Sequence, residues 1–245
     1  MTIYNSVFGL LTGLLLLAAT TAGAQVANDI AKQNKLGNAV FLVVTEGGAN
    51  AAPLKDIAQK AKALYPHSAV LMMDKADPAN AASVKRYGLS GAPMPMVLVV
   101  AQNGVVTEGF AKQDATPQKL VEGIPTPKQS EALLGFDQKK PVFVAMYKKS
   151  FTDKPAMIAE CKKATDALKG KAVVVEVDLD DKAEAPFIAL LNPAQPVKST
   201  IVHVFNSKGD FSSKHALPVQ TNTLVESAKK EVKECCPGGA KNCKK

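Results

Sequence analysis

Tryptophan is absent, arginine occurs once (Arg86), and aromatic side chains make up only 5% of the 245 residues. Nucleic-acid readers lean on Arg for base edges and on aromatics for stacking, so this shortage argues against DNA or RNA as a partner despite a net charge of +8. The excess charge is uneven. Residues 1–138 hold 11 basic and 10 acidic side chains, residues 139–245 hold 19 and 12, and nearly all of the surplus is lysine, which reads as solvated surface. Histidine is scarce and scattered (His67, His203, His215), with neither metal-ligand spacing nor a Ser/His/Asp arrangement. A Gly-rich phosphate loop is missing too. No metal and no cofactor is therefore expected. The acidic run Glu176, Asp178, Asp180, Asp181 and Glu184 lacks the Gly and terminal Glu of a calcium loop and reads as a solvated face where a strand meets a helix start.

Long apolar runs are also few. The one at Val7–Thr20 carries no charge and is followed by Ala22-Gly23-Ala24, the small-x-small pattern of a secretory cleavage site before Gln25. Residues 1–24 are thus expected to be a signal peptide, although residues 1–6 lack the usual Lys or Arg. A retained anchor is the competing reading, but the run is short of the ~20 residues a spanning helix needs. Without a stable membrane span after cleavage, the mature chain is expected to be periplasmic or secreted, where disulfides persist.

The remainder reads as one pattern written twice. Ala39–Val44 is an unbroken apolar strand, Pro53–Leu64 has helical apolar spacing, and Ala69–Asp74 is a second strand. A short helix over Ala82–Tyr87 leads to a hairpin, Met96–Ala101 and Val105–Gly109 around Gln102-Asn-Gly104, and then a helix near Pro117–Glu122. After Pro125-Thr-Pro127 the order recurs. Pro141–Tyr147, Ala172–Asp178, Thr200–Phe205 and Phe211–His215 read as strands, and Pro155–Leu168, Ala183–Leu191 and Leu224–Val232 as helices. The expected organisation is a signal peptide (1–24), a first domain (25–124), a linker (125–138), a second domain (139–233) and a Cys/Lys-rich tail (234–245).

The order of elements, Tyr87-Gly-Leu-Ser-Gly-Ala-Pro93, Asp74 at a strand end and Asn103-Gly104 at the hairpin together resemble the thioredoxin-like superfamily. In the second copy, residues 141–171 resemble its first strand and helix, ending in Gly170-Lys171. The fold implied is α/β: two tandem thioredoxin-like domains, each a mixed sheet flanked by helices. In that family a Cys-x-x-Cys at the helix N-terminus supplies a thiolate whose pKa the helix dipole lowers. The matching stretches here are Ala49-Asn-Ala-Ala52 and Phe151-Thr-Asp-Lys154, so the pairs Ala49/Ala52 and Phe151/Lys154 are degenerate positions without a thiol. Ordinary disulfide exchange has no nucleophile at either place.

The family's cis-proline loop corresponds to Ala92-Pro-Met-Pro95, where Pro93 or Pro95 can take the cis bond. The resemblance implies that this loop, Pro93, Met94 and Pro95, can pair with an extended partner chain. Met94 and Met96 either add a soft apolar surface or belong to the core. The second copy has Thr200 or Ile201 at the matching place, with Pro196 earlier.

Four cysteines remain. Cys161 falls on the apolar register of its helix and reads as a buried, inert thiol. Cys235, Cys236 and Cys243 surround a Pro237-Gly-Gly239 turn, a spacing that suits one local disulfide with a thiol left over for Cys161 or another chain. Flanking lysines would instead suit reactive thiols or a soft metal. The functional readings are then a redox-inert protein-binding or scaffold subunit in the cell envelope, a thiol-disulfide or soft-metal handling protein working from the tail, and a disulfide-linked dimer. On every one of them the fold sites themselves carry no catalytic residue.

Overall fold

A computed structural model describes residues 25–193 and 196–232. The signal-peptide segment and Cys235, Cys236 and Cys243 lie outside the described residues. Two sheets of four strands form, each in the order second-first-third-fourth. In the first unit β1 (Ala39–Thr45) runs parallel to β2 (Ser68–Asp74), and β3 (Met96–Val100) runs antiparallel to β1 and to β4 (Val106–Ala111). The second unit repeats this with β5 (Val142–Tyr147), β6 (Val173–Asp178), β7 (Ile201–Phe205) and β8 (Phe211–Ala216). All seven residues of β1 are buried because helices cover both faces of the sheet, and that is why its sequence runs apolar without alternation.

Each unit has two apolar layers. In the first, α2 (Ala52–Leu64) and α4 (Pro117–Glu122) set Leu54, Ala58 and Leu120 against Phe41 and Val99. On the other face α1 (Gln25–Lys35) and α3 (Ala81–Arg86) bring Ile30 and Val84 to Val40, Leu42 and Leu98. In the second unit α6 (Lys154–Ala167) and α8 (Thr221–Lys229) cover Phe143 and Val204, while α5 (Pro127–Asp137) and α7 (Ala185–Leu191) cover Val144 and Val175. A fully buried Phe or Leu of this kind contributes about 1.5–3 kcal/mol relative to an exposed one.

The duplication extends to irregular detail. Both hairpins turn through a glycine with positive φ, Gly104 at +84° and Gly209 at +87°, a conformation L side chains rarely adopt. In each the glycine N–H donates three residues back, to Ala101 or to Asn206. Both sheets shift register at the same point, Val99/Val100 and Val204/Phe205. After β2 and β6, Asp77 and Asp181 each accept a backbone N–H two residues on, at 2.8 and 2.9 Å, and cap a single 3-10 turn. This is the thioredoxin-like arrangement, twice in tandem.

Three sequence expectations are corrected. Residues 125–138 are not a bare linker, because Pro127–Asp137 is the first helix of the second unit, packed on β5 and β6. Helix α1 precedes the first strand of the first unit in the same way, where the sequence pattern begins the unit at the strand. Glu184 is not on a solvated face: it is 2% exposed and hydrogen-bonded to the start of α5.

Candidate functional site

Of the two residues that the resemblance sets at thiol positions in the first unit, Ala49 ends a Gly47-Gly48 turn after β1, and Ala52 is the first residue of α2. Its N–H donates to Asn50 Oδ1 at 3.0 Å. Beside them Asp74 Oδ1 accepts the Gly47 N–H at 3.1 Å, and Lys75 Nζ reaches Glu46 at 3.3 Å and the Ser90 carbonyl at 3.3 Å. An amide oxygen meets the first N–H of the helix, a carboxylate ties the turn before it, and an ammonium lies alongside. No sulfur is among them.

The proline loop lies between the 3-10 turn Leu89–Gly91 and β3. The cis peptide is Met94–Pro95, so of the two prolines it is Pro95, the residue immediately before β3, that takes it. Pro93 is exposed, and Met94 is half-buried against the layer that holds Leu89 and Leu98. Met96 is a core residue, 9% exposed, so of the two methionines only Met94 lines the loop. Ala92 N–H donates to Leu89, whereas the Met94 N–H donates to no acceptor among the described residues.

In the second unit the matching place is closed from within. Thr200 immediately precedes β7, as Pro95 precedes β3, and it is fully buried. Its N–H donates to the Asp153 carboxylate at 3.0 and 3.2 Å and its hydroxyl at 2.7 Å, and Asp153 stands directly before α6. A proline could not make the first of these bonds because it has no N–H. Lys154, which the resemblance sets at the second thiol position, bridges Glu176 of β6 at 2.9 Å and stacks over the Tyr147 ring at 3.5 Å. Burial pushes its ammonium down, but the bonds to Glu176 and Tyr147 outweigh that and leave it raised. Phe151 N–H donates to Lys148 in the turn between β5 and α6. The Asp153–Thr200 contact spans 47 positions in the chain, and no local pattern signals it.

Asp153→Ala strips the partners from a buried N–H and hydroxyl. It is expected to destabilise the second unit by about 2 kcal/mol, read from denaturant unfolding. A loss under ~0.5 kcal/mol would mean that water replaces the carboxylate.

Cys161 lies in α6 with no exposed surface, among Phe143, Met157 and Leu224. Burial pushes its thiol up to about 12, with Glu160 and Glu176 adding to the effect, so it is neutral and enclosed at neutral pH. His67 is exposed near Tyr65, and His215 is bonded to Ser213 and Ser227 at 2.9 and 3.0 Å. Among the described residues no group of three or more His, Cys, Asp or Glu side chains could hold a metal, and no helix is long and apolar enough to cross a membrane.

The two units touch through the first hairpin. Asn103 Nδ2 donates to the Ser130 carbonyl of α5 at 2.6 Å, beside a cleft lined by Gln102, Pro127, Glu131 and Leu134. Neither the cis-proline loop nor Lys154 lines it.

No protein-family model matches the chain, and no curated protein matches it. Solved structures similar to it include the first two thioredoxin domains of Naumovozyma dairenensis Eps1p, at 7% identity and a TM-score of 0.33, covering 82% of this chain and 95% of that one. The corresponding domains of Saccharomyces cerevisiae Eps1p match at 9% identity and a TM-score of 0.31, covering 84% and 96%. Zinc-bound human ERp44 matches at 10% identity and a TM-score of 0.33, covering 82% of this chain and 56% of its own.

Proposed function

We propose that this chain is an exported, redox-inert tandem thioredoxin-like protein that holds a protein partner, as a scaffold subunit of the cell envelope. The observation that carries the reading is the chemistry at the two helix starts: Ala49/Ala52 and Phe151/Lys154 stand where exchange would need thiolates. Export rests on the Val7–Thr20 run and the small residues at Ala22 and Ala24. The partner-binding element of choice is the first-unit loop. Pro93 is exposed, Met94 offers a half-buried thioether, and the Met94 N–H, unpaired among the described residues, can donate to an extended chain. Thr200 and Asp153 satisfy each other, so the second unit has no equivalent opening.

The purified full chain is expected to reduce insulin disulfides no faster than buffer. Intact-mass thiol trapping with and without reductant, run on the same sample, assigns Cys235, Cys236 and Cys243. A bridge within one chain, or a dimer released by reductant, leaves the binding reading in place. Turnover that disappears when Cys235 and Cys236 become Ser would replace it with thiol chemistry on the tail.

A further inference from the structure

The sheet of the second unit is incompletely roofed on the side of α5 and α7. Where α7 ends, a cavity of about 390 Å³ opens over β7 and β8, lined by Leu190, Asn192, His203, Phe205, Phe211 and Lys214 among others. His203 is 5% exposed; its ring makes no hydrogen bond to another described residue, and its nitrogens are not fully enclosed but accessible from the cavity. It meets the Phe211 ring edge-on at 5.2 Å, and Phe211 meets Phe205 at 5.7 Å. Lys214 is paired with His203 across the ladder, is exposed, and has no salt bridge among the described residues. Burial, with Lys214 adding, pushes the imidazole down to about 4, so at neutral pH it is uncharged with one N–H to donate.

The duplication supplies a control. The residues at the same register in the first unit are Leu98 and Gly109. There a Cβ on Gly109 would meet Met96 Cε at 3.0 Å and Leu98 Cδ2 at 3.2 Å, so apolar side chains fill the space. One half of the molecule packs this place shut, and the other puts around a hollow an imidazole and an ammonium that have no polar partner among the described residues.

We propose that this cavity binds a small apolar monocarboxylate, its body against Phe205, Phe211 and Leu190 and its carboxylate toward Lys214 and the His203 N–H. One ammonium beside a neutral donor balances a single negative charge, whereas a phosphate dianion would leave charge uncompensated. The volume lies within the ~300–1,000 Å³ range of small-molecule sites. A carboxylate in the cavity would also accept the imidazole N–H that faces it.

The test is proton NMR of the full chain at pH 7, following the ring Cε1–H signals of its three histidines while octanoate or 4-phenylbutanoate is added. A saturable shift of the His203 signal is expected with Kd on the order of 0.1–1 mM. Lys214→Met, at an exposed position, is expected to weaken it at least about fivefold, and octanamide is expected to bind as weakly. No shift up to ~10 mM, or equal binding of acid and amide, would overturn the proposal. A His203 signal that moves with protein concentration alone would also overturn it, since a second copy of the chain would then be the occupant.

Discussion

Replacing Glu184 by leucine is expected to destabilise the second unit by roughly 3 kcal/mol, an effect large enough to bring a domain of this size close to unfolding at modest denaturant. The carboxylate is 2% exposed and faces the start of α5: one oxygen accepts the Thr126 hydroxyl at 2.5 Å, the other the Lys128 N–H at 3.0 Å. Thr126 is itself half of a capping box with Gln129, so Glu184 completes the first turn and places a negative charge where the helix dipole favours one. Leucine keeps the volume and removes both acceptors. The half-buried Lys128 N–H is then left facing an apolar side chain without a partner, which costs more than the net worth of the bond. Glutamine retains one good acceptor and is expected to cost about half as much. Hydrogen exchange should place the loss in α5 first, because α5 is the element the carboxylate ties down. A leucine variant within ~0.5 kcal/mol of the parent would show that the capping box holds this turn without it.

That carboxylate also marks where the sequence stops being readable. Its neighbours Asp178 and Asp181 do what local chemistry suggests, each accepting an N–H two residues ahead. Glu184 differs only because α5, 56 positions earlier, is folded against it. The strands were legible because central strands covered on both faces must be apolar throughout, and β1 and β5 are. Helix α5 was hidden by its prolines. Pro125 and Pro127 read as linker punctuation, although proline in the first turn of a helix after Thr126, with Gln129 three residues on, is a helix-start signal. Helix α1 does carry a helical period, but its apolar face has only Val26 and Ile30 as large side chains in an otherwise polar stretch, which is easily passed over. The lack of thiols at both helix starts was plain from counting. The choice of Pro95 over Pro93 needed the start of β3, and the seal between Asp153 and Thr200 needed the tertiary fold. The hollow beside His203 draws its walls from α7, β7 and β8, so no single window of the sequence contains it.

Gly135→Ala offers a sharper sign test, because two effects oppose each other there. In an isolated helix the change stabilises by about 1 kcal/mol, since glycine gives up more backbone freedom than alanine. Gly135 lies in the last turns of α5, pressed onto the sheet: a Cβ there would stand 2.6 Å from Val142 Cγ2 and 3.3 Å from Val173 Cγ2. Val142 is fully buried in the central strand, and its β-branched side chain has little rotamer freedom with which to retreat. The helix must therefore lift off β5 and β6, at an overpacking cost of about 1–3 kcal/mol that exceeds the propensity gain. Net destabilisation is expected in chemical unfolding, with larger side chains such as leucine preventing α5 from docking at all. Combining Gly135→Ala with Val142→Ala should restore part of the loss, because the second change removes the atom that collides. Stabilisation by Gly135→Ala alone would mean that α5 slides freely over the sheet, and the close approach would then not be what selects glycine at this position.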